Sequence, residues 1–112
     1  MTPQEISDRI EINDLLIRYS VAIDEKDWDL LDSVYTPDAK IDYTTSGGIA
    51  GEYPEVRAWL AKALAIFPMT QHLISNSVVE LDGDRATART MVFNPMGTDK
   101  EGGGHKLFFV GG

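Results

Sequence analysis

His72 is the side chain in this sequence best suited to moving a proton near neutral pH, because an imidazole both takes and gives one there. As a base it gains from a partner that orients the ring and stabilises the imidazolium. Asp24 ends the first apolar-periodic segment, and it becomes that partner if this segment packs against the one carrying His72. A core histidine satisfied by backbone and a helix-end carboxylate are the structural alternatives, and the two residues alone leave them open. Tyr19 and Tyr43 could donate to a substrate oxygen from an apolar wall, or be ordinary core and rim tyrosines.

Around these stand the residues expected to touch a substrate. His72, Ile74 and Asn76 share one strand face by the period of two. Asn94, with Val92 and Thr90, could face a pocket mouth, or be only a polar strand end before Pro95. Trp28 and Phe67 are expected in the core and pocket lining, as are Tyr35, Trp59, Phe93 and Phe108. His105 follows three glycines and is expected in a solvated loop.

Several chemistries are missing. There is no zinc-binding spacing, no phosphate-binding glycine loop and no Gly-x-Ser-x-Gly elbow, so no metal or cofactor is expected. A net charge of −8 argues against a nucleic-acid partner and against an anionic membrane surface. Without cysteine there are no disulfides and no thiolate sites. Met1-Thr2-Pro3-Gln4-Glu5 is neither basic nor apolar, which is unlike a signal peptide, and no apolar run is long enough to span a bilayer. A cytoplasmic protein is the expectation.

The elements that must position His72 and Asp24 can be read from period and punctuation. The 112 residues suit a single domain. Thr2, Pro3 and Glu5 form a helix-start signal with a capping box. Ile12, Leu16, Tyr19 and Ile23 then mark one helical face, while Ile6, Ile10, Ile17 and Val21 form a second stripe, which predicts a helix covered on more than one side. Asp27 can cap a short second helix that buries Leu30, Leu31, Val34 and Tyr35 and ends at Thr36-Pro37. Ala39, Ile41 and Tyr43 alternate as a strand, broken at Ser46-Gly47-Gly48. Pro54 opens a third helix through Phe67. Residues 70–81 and 85–94 are predicted strands joined by the Asp82-Gly83 turn. Pro95 to Gly104 reads as a loop, and Leu107 to Val110 as a last strand. Helices first and antiparallel strands afterwards indicate an α+β domain.

The stretches Ile12-Asn13-Asp14-Leu15-Leu16-Ile17-Arg18-Tyr19, Asp24-Glu25-Lys26-Asp27-Trp28, Thr36-Pro37-Asp38-Ala39, Gln71-His72-Leu73-Ile74-Ser75-Asn76 and Leu81-Asp82-Gly83-Asp84-Arg85-Ala86 resemble SnoaL-like and scytalone dehydratase-like proteins. These share a superfamily with ketosteroid isomerase and nuclear transport factor two. The resemblance implies a cone-like curved antiparallel sheet wrapped by about three N-terminal helices around a pocket. It implies a His–Asp pair at Asp24 and His72, tyrosines at Tyr19 and Tyr43, and a polar pocket position near Asn94. The family continues past the Phe108-Phe109 strand, so the chain is expected to lack a C-terminal strand or strands.

Two readings of function result. The first is a cofactor-independent lyase, or a related isomerase, acting on a small apolar cyclic substrate by His–Asp acid/base chemistry. The second is a non-catalytic ligand-binding or dimerisation module, because this fold hosts many functions. A homodimer through the outer sheet face is expected in either case, since so small a core has a thin margin.

Overall fold

The computed structural model describes residues 1–99 and 105–111, with side chains through residue 97. Helix α1 (Pro3–Glu25) opens on the expected capping box. The Thr2 hydroxyl accepts from the Glu5 N–H and the Glu5 carboxylate accepts from the Thr2 N–H, each at 3.1 Å. The helix ends at Lys26, which takes the left-handed conformation at φ 55° and returns its N–H to Ala22 and Ile23. Asp27 caps the short α2 (Trp28–Leu31), accepting from the Leu30 N–H at 3.1 Å. Strand β1 (Lys40–Asp42) pairs antiparallel with β2 (Ala50–Glu52). The period of two does not reveal β2, because Ala-Gly-Glu has no apolar alternation; pairing with β1 makes it a strand. Helix α3 (Tyr53–Ala63) continues into a 3₁₀ turn at Leu64–Ile66.

The main sheet is built on a long central strand, β5 (Arg85–Asp99). Strands β3 (Met69–Thr70) and β4 (Leu73–Asp82) lie end to end along one side of it, since Thr70↔Met96 and Leu73↔Phe93 keep one register. Strand β6 (His105–Gly111) takes the other side, from Phe93↔Gly111 to Asp99↔His105. The fold is therefore α+β, with helices before an antiparallel sheet.

Two details of β4 and β5 depart from the sequence reading. First, β5 does not stop at Asn94 but runs through Pro95 to Asp99, where a loop is expected. Proline lacks an N–H and is normally confined to edges or bulges. Here its carbonyl still accepts from the Gln71 N–H at 3.0 Å, and the partner strand is interrupted at residues 71 and 72. The cost of the missing donor thus falls on a gap between β3 and β4. Second, a bulge between Ile74 and Ser77 sets two residues of β4, Ser75 and Asn76, against Met91 of β5. The expected glycine loop at 102–104 lies outside the described residues, as do the side chains of His105 and Phe108.

The core gathers Ala22 and Ile23 of α1, Leu31 of α2, Tyr53, Val56 and Leu60 of α3, and Leu64. The second stripe of α1 is not covered within the described residues. Ile6, Ile10, Ile17 and Val21 are exposed, because sheet, α2 and core engage only the face carrying Tyr19 and Ile23. Phe93, expected in the lining, is exposed as well: it alternates with Asn94 and points to the outer sheet face. Leu31 is completely buried in the core cluster to which α1 and α3 also contribute. Leu31→Ala should cost about 2–5 kcal/mol of stability. Urea unfolding should show this as a lower midpoint at an unchanged slope.

Candidate functional site

Asp24 sits in the last turn of α1, and His72 lies in the gap between β3 and β4. Alternation explains their meeting. Gln71 turns its N–H toward β5, so His72 turns its own N–H outward from the sheet edge, where α1 ends. The carboxylate receives that N–H on Oδ2 at 2.7 Å. Oδ1 receives the Thr70 hydroxyl at 3.1 Å and lies 2.6 Å from Nδ1 of the His72 ring. An ionised carboxylate only accepts, so this contact places the donor on Nδ1 and points Nε2 away from Asp24. The His72 side chain is 9% exposed and that of Asp24 25%.

Aromatic hydroxyls stand beside the pair. The Tyr19 ring meets the His72 ring edge-on at 6.0 Å. Its hydroxyl lies 2.7 Å from that of Tyr43. Tyr43 in turn stacks on Trp59 at 6.0 Å, and Gly48 makes room for this: a Cβ there would fall 2.7 Å from the Trp59 ring and from the Tyr43 Cβ. Tyr35 stands edge-on to Tyr19 at 6.2 Å and stacks on Tyr53 at 5.1 Å. Burial pushes the Tyr19 hydroxyl up from the ordinary 10.0 to about 12, aided by Tyr35 and opposed by its bond to Tyr43. Burial also raises Tyr35 and Tyr43, with the neighbouring phenol adding to each.

The other named residues divide. The register sets Asn94 opposite His72 on the same sheet face, and its side-chain oxygen is buried without a hydrogen-bond partner. Ile74 is half-buried on that face; Trp28 and Phe67 pack against the core. Asn76 is not brought to the site. Asn76 is exposed, and beyond the bulge it is Ser77 that pairs with Thr90, their hydroxyls 2.8 Å apart. Thr70 was missed in the sequence, although it shares the face of His72 by the same alternation that singled out Ile74. Tyr35 was read as lining, and nothing in its spacing links it to Tyr19.

The expected apolar pocket around the pair is not among the grooves described. One, of about 530 Å³, runs between α1 and the β4–β5 turn and is lined by Asp8, Glu11, Asp14, Arg18, Leu81 and Arg85, among others. Another, of about 370 Å³, lies on the β1–β2 hairpin. The His72 ring is instead closely packed between Asp24 and Tyr19. Among the described residues, no group of three or more His, Cys, Asp or Glu could hold a metal ion. No helix there is long and apolar enough to cross a membrane.

The chain as a whole is similar to known proteins. A family described as "SnoaL-like domain" matches residues 4–112. Uncharacterized proteins of Mycobacterium tuberculosis (Rv2910c) and Mycobacterium bovis (Mb2934c) are each 52% identical over 92 residues, which is 82% of this chain and 63% of theirs. The chain thus spans under two thirds of the length of these relatives. The crystal structure of the Kfla4162 protein from Kribbella flavida superposes with a TM-score of 0.86 at 31% identity, covering 96% of this chain and 77% of that one. A variant of Rv3472, a function-unknown protein from Mycobacterium tuberculosis, gives 0.72 at 24% identity, over 96% and 61% of the two chains, and shares the fold.

The tyrosine cluster has a consequence at high pH. Tyr19 ionises in the unfolded chain near its ordinary 10.0, but in the folded chain only near about 12. The unfolded state therefore releases its proton first, and stability falls as pH rises through that window. Urea midpoints taken from pH 9 upward should decline (roughly from pH 10), and less steeply in Tyr19→Phe. Equal slopes in the two proteins would show that Tyr19 is not the group responsible.

Proposed function

This chain belongs to the SnoaL-like domain family, and on that premise we propose that it is a cofactor-independent lyase, a dehydratase or related isomerase, acting on a small apolar cyclic substrate. The observation that carries the reading is the 2.6 Å contact between Asp24 and Nδ1 of His72. With Nδ1 engaged, Nε2 is the base. It takes a proton from a carbon next to an electron-withdrawing group, and Asp24 stabilises the imidazolium that forms. The electrons of the broken C–H bond form the new double bond. A hydroxyl on the neighbouring carbon leaves with its bonding pair, taking the proton from His72 to depart as water. Tyr19 and Tyr43 polarise the carbonyl or assist the leaving group, and the unfilled acceptor of Asn94 suits a substrate hydroxyl.

The test begins with a thermal-shift screen of cyclic hydroxy-ketones, followed by turnover of those that bind. His72→Ala should lower the rate about a hundredfold to ten-thousandfold, the usual worth of a general base. Asp24→Asn should cost nearly as much, by misorienting the ring, and Tyr43→Phe less. Activity should fall toward acid pH, because a protonated ring cannot act as a base. A wild-type rate in His72→Ala would overturn the mechanism.

The close packing of His72 favours a second reading, a non-catalytic ligand-binding module of the same fold. Ligands that raise the melting temperature of the wild type and of His72→Ala alike, with no turnover of any of them, would decide for it.

The proposed setting is cytoplasmic, and the proposed assembly a homodimer through the outer sheet face. Leu73 and Phe93 stand directly opposite each other there, 53% and 48% exposed, with Val78 and Met91 exposed on the same sheet. Sedimentation should give a dimer that Phe93→Glu weakens. A stable wild-type monomer at micromolar concentration would rule the dimer out.

A further inference from the structure

Thr70 has no role in the chemistry above, yet it is 6% exposed and spends its hydroxyl on Asp24. The geometry of the carboxylate gives that bond a purpose. A carboxylate held by an imidazole alone can rotate about its last bond, and the ring can follow it. Here Oδ2 is held at 2.7 Å by the main-chain N–H of His72, which is flanked by Gln71, bonded to the Pro95 carbonyl, and by Leu73, paired with Phe93. Oδ1 is shared between Thr70 at 3.1 Å and Nδ1 of His72 at 2.6 Å. Thr70 is itself fixed by pairing with Met96, and threonine is stiff at its first side-chain torsion. Two donors, one on β3 and one in the short gap that follows it, thus set the plane of the carboxylate, and the imidazole conforms to it.

We propose that Thr70 is a positioning residue: with the main-chain N–H of His72 it clamps Asp24, so that His72 keeps its proton on Nδ1 and a bare Nε2 before any ligand arrives. The proposal rests on the reading of His72 as a base, and it adds that the base is preset by the strand rather than assembled by substrate. Ser could replace Thr70, since it keeps the hydroxyl; Val could not, although it keeps the shape.

Nitrogen-15 NMR of the histidine rings tests this in the free protein. The chain has two histidines, and His105→Gln assigns them. The wild type should show the His72 proton on Nδ1, with a ring N–H resonance slow to exchange. Thr70→Val should lose that resonance and mix the tautomers at an unchanged far-ultraviolet circular dichroism spectrum, and Thr70→Ser should restore both. A Thr70→Val spectrum equal to wild type overturns the clamp, and so does a Thr70→Ser spectrum equal to that of Thr70→Val. If Thr70→Val fails to fold, the wild type decides: a cross-peak between the Thr70 hydroxyl proton and the His72 ring N–H supports the clamp, and its absence at low temperature overturns it. Because no substrate is involved, a fixed tautomer in a protein without turnover would refute the lyase reading and leave the clamp standing.

Discussion

The carboxylate of Asp24 stands at the wrong end of a helix. The last turn of α1 is the negative pole of its dipole, and no basic residue lies in that turn to offset it. Asp24 is also half-buried, so its oxygens need partners from the protein. What holds it is a set of donors from one short segment: the Thr70 hydroxyl, the His72 main-chain N–H and the His72 ring. The junction of helix and sheet edge is therefore a polar one, made of charge-assisted bonds. Such bonds are among the stronger ones, and removing one partner leaves a buried group unsatisfied.

That segment is available because the sheet does not use it fully. Pro95 has no N–H to give Gln71, and the ladder is interrupted where β3 would run into β4. His72 then turns its own N–H away from β5 toward the helix end. The tyrosines complete the wall by a different route. The β1–β2 hairpin and α3 bring Tyr43 against Trp59, with Gly48 leaving the space, and Tyr43 reaches Tyr19 across to α1. Two separately built parts of the chain thus converge on α1, one through a carboxylate and one through a phenol.

Much of this was legible in the sequence where a residue has one physical use. Thr2, Pro3 and Glu5 could only begin a helix together, Asp27 caps as its type suggests, and Asp82-Gly83 turns the hairpin. The proximity of Asp24 and His72 followed from the elements that carry them together with family resemblance. What was hidden depends on neighbours. Ala50-Gly51-Glu52 has no pattern of its own and is a strand only because β1 lies beside it. Pro95 signals a stop unless a gap opposite absorbs its missing donor. The exposed stripe of α1 looks the same in sequence as a buried one. Asn76 was set on the face of His72 by counting twos, and the count breaks at the bulge.

The bulge also has a use. Up to Ile74 the even-numbered residues of this strand face inward, with Thr70 and His72 among them; beyond it the odd-numbered Val79 and Leu81 do. An unbroken strand would have turned Asn76, Val78, Glu80 and Asp82 inward and left Val79 and Leu81 in water. The extra residue acts as a frameshift written in backbone geometry. It lets one strand obey two alternations in succession, a polar one at the carboxylate and an apolar one further along. A single deletion at Ser75 or Asn76 would remove the bulge and leave Ile74, Val79 and Leu81 on one continuous alternation, so it is the extra residue, not the order of side chains around it, that forces the ladder to break.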